Sequence, residues 1–221
     1  MIHVAAAPEP KQFDEKVRMP GLRAIAEMVG EKPKRKAGPR FKKKAARRED
    51  LSPSDFPAYW TECLSDLMKG YREVCAYSCF RIHPVTGART VDHMAPKSRN
   101  WNRVYEWDNY RLACARLNSR KNHFEDVLDP FEVENGWFHL ELVGFTVFPN
   151  RKLSKALQKE IENTIERLGL NDFRSSREHD AERYWSQDVS LSVLRMESPF
   201  VAHELNRQGR LNNKDEDNES V

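Results

Sequence analysis

The chain has 221 residues, a formal net charge of +3, 39% hydrophobic residues and 32% charged residues. This length suits one domain, or one domain with extensions, and the five Trp, eleven Phe and six Tyr residues supply large apolar surfaces for a core. No stretch of about 18 apolar residues is present, which argues against a membrane-spanning helix and a membrane partner.

The first residues, MIHVAAAPEPKQ, lack the charged segment and apolar core of a secretory signal. We therefore expect a cytoplasmic protein. In that compartment the four Cys residues would be thiols or metal ligands rather than disulfides.

Residues 1–50 are predicted to form a flexible basic arm, because Pro, Gly and Lys interrupt them repeatedly. Residues 32–48 hold ten Lys or Arg and no acidic residue, which leaves the rest of the chain at −7. Three interpretations are open: a solubilising linker, a contact with nucleic acid, or an arm that docks on a partner protein.

The next segment, residues 55–71, is predicted to be an amphipathic helix that packs on the core. Ser54 or Asp55 can cap it, and Pro57 falls in its first turn. Its apolar residues recur at steps of three and four: Phe56, Tyr59, Trp60, Cys63, Leu64, Leu67, Met68 and Tyr71.

Residues 74–93 are predicted to form a β-hairpin. The strand-forming runs VCAYSCFRI and ARTVDH flank a turn-prone Pro-Val-Thr-Gly sequence. A loop follows, Asp108 or Asn109 starts the next ordered element, and residues 116–124 are predicted to be a short helix. The expected order is strand, strand, loop, helix.

The C-terminal third is predicted to contain strands, helices and a tail. One or two strands lie in residues 136–149, with Gly144 as a break, and a helix covers 153–168 with Gly169 as its stop signal. A less regular helix is predicted over 178–196. The domain would span 51–200, and 201–221 would be a polar, acidic, disordered tail.

The segment from Thr90 to His123 carries residue types suited to phosphodiester hydrolysis. A His deprotonates water near neutral pH, so His93 is the predicted general base. Asp92 beside it offers a carboxylate to a divalent cation. Adjacent strand residues point to opposite faces, so both serve one site only if the strand ends there, which Pro96 makes plausible.

Two Asn residues and three basic residues complete the predicted site. Asn118 is expected to be a second ligand of Mg²⁺ or Mn²⁺, and Asn109 to orient the ring of His93 through its amide or backbone carbonyl. Three basic side chains are expected to bind phosphate: Lys97, Arg120 and Lys121. Taken singly, each residue is more often a turn, cap or solvated surface residue.

In order and spacing this segment resembles the HNH endonucleases, whose ββα-metal motif is strand, strand, loop, helix. Asp92-His93, Asn109 and Asn118 fall on that family's Asp-His, Asn and His/Asn positions. The resemblance implies that His93 is the base, that Asp92 and Asn118 bind the catalytic metal, and that Asn109 orients His93. His123, one turn after Asn118, is a weaker alternative ligand.

The sequences VDHMAPKS, WDNYRLAC and LNSRKN resemble more closely the HNH component of Septu-type anti-phage systems, the PtuB-like proteins. The resemblance covers about residues 55–185. It implies a complex with an ATPase subunit and, in retron-associated systems, with a reverse transcriptase and its non-coding RNA or msDNA. The chain has no G-x-x-x-x-G-K-[ST] phosphate loop of its own.

The resemblance fails at the cysteines. Many such proteins bind a structural zinc through two CxxC pairs, whereas here Cys75 and Cys79 are separated by three residues and Leu117 replaces the partner of Cys114. A tetrahedral zinc site needs four N or S ligands, so we expect no structural zinc. A site rescued by His83 is the alternative.

The sequence therefore predicts an α+β protein with an HNH ββα-metal core, elaborated with amphipathic helices. Its predicted function is metal-dependent cleavage of nucleic acid, DNA or RNA including tRNA, as the effector of an anti-phage complex. The alternatives are a catalytically inactive HNH shell that binds nucleic acid, and a structural subunit that scaffolds the ATPase complex.

Overall fold

Two small antiparallel sheets and eight helices make up the described part of the chain. The structure is a computed structural model that describes residues 1–34 and 40–216. The mixed α+β class predicted from the sequence is confirmed.

The strands are β1 (Arg89–His93), β2 (Tyr110–Cys114), β3 (Phe138–Leu140) and β4 (Val147–Pro149). The helices are α1 (Met19–Met28), α2 (Leu64–Gly70), α3 (Ala115–Lys121), α4 (Lys155–Leu168), α5 (Arg174–Trp185), α6 (Leu191–Glu197), α7 (Pro199–Arg207) and α8 (Asn213–Glu216). A π-helical turn, Asp14–Arg18, leads into α1, and short 3-10 turns occupy several loops.

The unit formed by β1, β2 and α3 positions the predicted site. β1 pairs with β2 in an antiparallel register that places Val91 opposite Leu112 and His93 opposite Tyr110. The helix α3 starts directly after β2 and packs on both strands. The short helix predicted at 116–124 is therefore present as α3, which starts one residue earlier and ends three residues earlier than predicted.

The predicted hairpin over 74–93 is wrong in its pairing. Val74 and Arg81 form an isolated bridge that closes a tight turn, and Cys79 within this turn has a φ of 57°. This turn is complete before β1 begins, so β1 pairs with β2 instead. The sheet partner of β1 is thus a strand 17 residues further along the chain.

The C-terminal predictions are partly confirmed. β3 and β4 pair with Gly144 in the connection between them. Ser154 caps α4 by accepting a hydrogen bond from the Leu157 N–H, and Gly169 ends the helix with a φ of 59°. The single helix predicted over 178–196 is wrong, because Gln187 adopts a φ of 66° after α5 and Ser190 caps the separate helix α6.

The helix predicted over 55–71 begins later than expected. Asp55 accepts a hydrogen bond from the Ser52 N–H and so closes a turn instead of capping a helix. A 3-10 segment, Tyr59–Cys63, then leads into α2. The predicted apolar stripe still faces the core, since Phe56, Cys63 and Leu67 are buried.

The prediction of a flexible arm over residues 1–50 is wrong for residues 1–30. Phe13, Val17 and Ile25 are at most 2% exposed and belong to the same core cluster as the strands. The Phe13 ring lies 5.5 Å from that of Trp107 and 5.7 Å from that of Tyr110, both edge-on. The amphipathic spacing within this segment outweighs its Pro and Gly content.

Much of the basic run also follows the protein surface. The backbone N–H groups of Lys44 and Ala45 donate to the Met28 carbonyl, and Phe41 N–H donates to Glu27. Arg48 pairs with Glu31. Residues 35–39, at the centre of the predicted arm, lie outside the described residues.

The predicted disordered tail starts too early at residue 201. The helix α7 covers residues up to Arg207, with Val201 and Leu205 buried, and Leu211 beyond it is 7% exposed. Residues 217–221 lie outside the described residues. Within the described ranges no helix is both long and apolar enough to cross a membrane.

Replacement of Phe13 tests whether the N-terminal segment belongs to the fold. We expect Phe13→Ala to lower the free energy of unfolding by about 3–5 kcal/mol, because it removes a fully buried ring. Phe41→Ala, at a ring that is 38% exposed, is the matched control and should change it by less than about 0.5 kcal/mol. Equal urea midpoints for the two variants would show that residues 1–30 do not stabilise the domain.

Candidate active site

An open cleft of about 490 Å³ lies where β1 ends beside α3. Four predicted residues line it: Asp92, His93, Lys97 and Asn118. Seven further lining residues were not predicted to act there, among them Trp60, Ser119 and Asn122. The predicted residues Asn109, Arg120 and Lys121 are not in its lining.

His93 is the last residue of β1, so the strand ends directly after the two neighbouring candidate residues Asp92 and His93. Its cross-strand partner is Tyr110, whereas Asp92 lies opposite Arg111. Directly opposed residues share a face of a sheet, and neighbours along a strand face opposite ways. Asp92 therefore faces α3, and His93 points towards Trp60 and Tyr110.

The His93 ring is held by a backbone carbonyl. Its Nε2 lies 3.0 Å from the Val104 oxygen, which also accepts from the Tyr110 hydroxyl at 2.8 Å. Because a carbonyl only accepts, Nε2 carries the proton in the neutral ring, and Nδ1 keeps its lone pair. Within the described residues Nδ1 has no hydrogen-bond partner, nor is it among the fully enclosed unpaired atoms, so it is open to the cleft.

Burial keeps this ring neutral. Desolvation, helped by the positive charge of Lys97, lowers the pKa of His93 from 6.5 to about 3. The Trp60 and Tyr110 rings, at 4.9 and 5.1 Å, enclose it edge-on. His93 is thus in the form that can accept a proton throughout the neutral pH range.

The predicted contact of Asn109 with the His93 ring is wrong. The Asn109 Oδ1 accepts from the Ala95 N–H at 2.7 Å, and its Nδ2 donates to the carbonyls of Ala95 and Arg103 at 3.1 and 2.8 Å. It therefore joins the two ends of the loop between β1 and β2. Its effect on His93 is indirect, because Val104 follows Arg103 in that loop.

Asp92 is buried, with 2% of its surface exposed, and its carboxylate forms a hydrogen bond with one side chain and an ion pair with another. The Tyr77 hydroxyl donates to its Oδ2 at 2.5 Å, and the Lys121 ammonium lies 3.2 Å from the same oxygen. Desolvation raises the pKa of Asp92 above its usual 3.8, although Lys121 and Tyr77 oppose this rise. Its Oδ1 has only a 3.4 Å contact with Lys121, at the long limit for a hydrogen bond.

The Lys121 ammonium is buried against protein acceptors and is not in the cleft lining, which corrects the prediction that it binds phosphate. Its side chain is 0% exposed and also donates to the carbonyls of His93 and Met94 at 2.9 and 3.2 Å. Arg120 is likewise engaged elsewhere: it pairs with Asp172 and donates to the Leu168 carbonyl at the end of α4. Both residues fasten α3 to its surroundings.

Asn118 contacts β1 with its amide nitrogen and offers its oxygen to the cleft. The Nδ2 donates to the Thr90 hydroxyl at 3.1 Å and to the Val91 carbonyl at 3.3 Å. The carbonyl partner fixes this amide orientation. No hydrogen bond to Oδ1 is found in the described part of the chain.

The donor set of the cleft fits a divalent cation. Asp92 Oδ1 and Asn118 Oδ1 are hard oxygen ligands without a strong protein partner, as Mg²⁺ and Mn²⁺ prefer. Within residues 1–34 and 40–216 no group of three or more His, Cys, Asp or Glu side chains is suited to a metal. A cation here would therefore have few protein ligands and keep several waters.

The cysteines lie apart from this cleft. Cys75 and Cys79 are buried and Cys114 is half-buried, and Leu117, at the sequence position of the missing fourth ligand, is 0% exposed. The Cys114 N–H donates to the Cys75 sulfur at 3.4 Å. Burial opposes ionisation of Cys75, but hydrogen bonds from Cys114 and Ser78 outweigh it and lower its pKa. The expected absence of zinc stays a prediction.

Three residues of the site were missed, each for a different reason. Trp60 was assigned to the core because it falls on an amphipathic stripe. Tyr77 lies between Cys75 and Cys79, and its sequence context does not indicate that it contacts Asp92. Asn122 adopts a φ of 46° and a ψ of −120°, and no local sequence signal marks this strained conformation. Comparison with family models and with curated proteins finds no match to this chain.

Removing the Lys121 charge tests its structural role. Lys121→Met leaves the Asp92 carboxylate buried and unpaired, and we expect the free energy of unfolding to fall by about 3–5 kcal/mol in urea titrations. Adding Asp92→Asn should recover much of that loss, because the uncompensated charge is then gone. Normal stability of Lys121→Met, with weakened nucleic-acid binding, would instead indicate a phosphate contact.

The low pKa of His93 predicts a loss of stability in acid. Because its pKa is about 3 in the folded chain and about 6.5 unfolded, the unfolded state binds more protons as the pH falls below 6.5. We expect His93 to contribute a loss of about 2 kcal/mol between pH 7 and pH 5. His93→Gln, which cannot titrate there, should show a correspondingly smaller decrease in unfolding free energy. Equal decreases in the wild type and in His93→Gln would mean that the pKa of His93 is the same in the folded and the unfolded chain.

Proposed function

We propose that this chain is a metal-dependent endonuclease of the HNH type that hydrolyses phosphodiester bonds in the cleft at the end of β1. The observation that carries the proposal is that three side chains line one cleft: the neutral His93, whose Nδ1 has no hydrogen-bond partner among the described residues, and Asp92 and Asn118, each with an oxygen that lacks a strong protein partner. Two antiparallel strands followed by a helix, β1, β2 and α3, are also the elements of a ββα-metal core, although the loop lies between the strands and not before the helix as predicted.

His93 takes the part of general base. Its Nδ1 accepts a proton from water, the water oxygen forms a bond to phosphorus, and the bond from phosphorus to the leaving oxygen breaks. The Val104 carbonyl holds the ring and accepts from Nε2–H while the ring becomes positively charged. General-base help of this kind raises rates by about 10²–10⁴-fold.

Asp92 and Asn118 would hold the divalent cation, which when bound neutralises charge on the phosphate and on the leaving oxygen. Tyr77 and Lys121 keep the Asp92 carboxylate in place from the opposite side. Lys97 lies half-buried in the cleft lining and can contact a phosphate oxygen.

Substrate binding also makes His93 a better base. Its pKa of about 3 in the empty cleft is far below the optimum for a base acting near pH 7. Lys97 contributes to this depression, so a phosphate that pairs with Lys97 opposes it. His93 is thereby tuned by the anion on which it acts.

The biological setting is proposed from the sequence resemblance alone. In it, the nuclease acts on DNA or on RNA, including tRNA, within an anti-phage complex. A partner ATPase restrains it until infection.

The proposal is tested by cleavage assays on plasmid DNA and total RNA. We expect cleavage with Mg²⁺ or Mn²⁺ and none in EDTA, and His93→Ala should lower the rate by about 10²–10⁴-fold. His179→Ala, at an exposed His on α5, is the matched control and should cleave at the wild-type rate. Undiminished cleavage by His93→Ala would rule out His93 as the base.

The same assays separate the enzyme from an inactive shell. That alternative draws on the buried pair of Lys121 and Asp92, in which the ammonium already supplies a positive charge to the carboxylate. If the chain is an inactive shell, the wild type shows no metal-dependent cleavage. If it is an enzyme, Asn118→Ala raises the Mn²⁺ concentration needed for half-maximal rate.

A further inference from the structure

One side of the cleft takes part in the proposed hydrolysis only through the ammonium group of Lys97. This side, which we call the indole side, consists of Trp60, Lys97 and Asn122. These residues come from three separate segments: the 3-10 turn before α2, the loop after β1, and the end of α3.

Trp60 presents an aromatic surface beside the predicted base. It is half-buried, lines the cleft, and meets the His93 ring edge-on at 4.9 Å between centroids. In the described part of the chain its Nε1–H has no hydrogen-bond acceptor and is not enclosed. A Trp that served only the core would bury this polar group against a partner.

Lys97 covers the Trp60 ring and can leave it. Its ammonium lies 4.2 Å from the ring centroid, and within the described residues it has no carboxylate partner. A cation–π contact of this kind is weak compared with a charge-assisted hydrogen bond to phosphate. A phosphate entering the cleft would therefore draw Lys97 away and expose the indole face.

Asn122 adopts a backbone conformation that is strained for a residue with a side chain. Its φ of 46° and ψ of −120° correspond to the first central position of a type II′ turn, which Gly normally occupies. The side chain is exposed in the cleft, and no hydrogen bond to it is found within the described residues. Its amide thus contributes nothing visible to the fold that would offset the strain.

We propose that the indole side binds an unpaired nucleotide next to the cleaved bond, with the base on Trp60, its phosphate on Lys97, and its sugar or base edge hydrogen-bonded to Asn122. In a duplex both faces of a base are stacked on neighbours, whereas a single-stranded or extruded nucleotide offers a face to an indole. This inference rests on the proposed function and specifies its substrate class as unpaired nucleic acid.

Binding is measured by fluorescence anisotropy with wild-type protein in EDTA at one salt concentration. The probes are a single-stranded oligodeoxynucleotide, the oligoribonucleotide of the same sequence, and the corresponding DNA duplex. We expect Trp60→Leu to weaken single-strand binding by about 5- to 150-fold, the effect of losing one base–aromatic stack, with little change for the duplex. Trp60→Phe should retain most of the affinity.

The strained Asn gives a second and independent test. Asn122→Gly should raise the melting temperature by about 2–4 °C because it relieves strain, yet weaken single-strand binding by about 2- to 10-fold. Arg72→Gly is the matched control: the exposed Arg72 also has a positive φ, of 50°, but stands after α2, outside the cleft lining. It should raise the melting temperature without changing affinity.

Three outcomes would overturn the inference. One is an equal loss for duplex and single strand in Trp60→Leu, which would make Trp60 a packing residue. The second is unchanged single-strand affinity in a folded Trp60→Leu or Asn122→Gly protein. The third is a Trp60→Phe protein that folds but binds as weakly as Trp60→Leu. Binding is measured in EDTA, without cleavage. The cleavage assay can therefore contradict the proposed nuclease activity while the binding assay supports this site, and the binding assay can contradict this site while cleavage is observed.

Discussion

The buried ion pair between Lys121 and Asp92 connects the parts of the site. Lys121 projects from the last turn of α3 and contacts the Asp92 carboxylate and the carbonyls of His93 and Met94. A buried ammonium with several acceptors is costly to separate, because either partner alone would remain charged without water. This contact therefore sets the distance between α3 and the end of β1, and with it the cleft.

Around this pair, the loop between β1 and β2 holds the His93 ring without any charged partner. Asn109 joins the ends of the loop through Ala95 and Arg103, and the Val104 carbonyl receives the ring N–H. Since these contacts involve backbone atoms, they set the tautomer while leaving the ring neutral. The unpaired nitrogen is the one that opens to solvent.

The N-terminal segment stabilises this loop from behind. The Trp107 indole N–H donates to the Ala7 carbonyl at 2.8 Å, and Phe13 packs against Trp107 and Tyr110. Tyr110 in turn shares the Val104 carbonyl with His93. The first 30 residues are thus part of the structure that positions His93, although their composition suggests an extension.

Local chemistry in the sequence was enough to predict α4 with its Ser154 cap and Gly169 stop, the helix after β2, and the choice of Asp92, His93 and Asn118 as neighbours of one cleft. The two helices depend on residues close together in the chain, whereas the grouping of Asp92, His93 and Asn118 depends on their residue types and spacing. The pairing of β1 with β2, the burial of Lys121 and the role of Trp60 depend on contacts between distant segments. A lysine looks the same in sequence whether it faces a phosphate or a carboxylate; only packing decides whether water or Asp92 surrounds it.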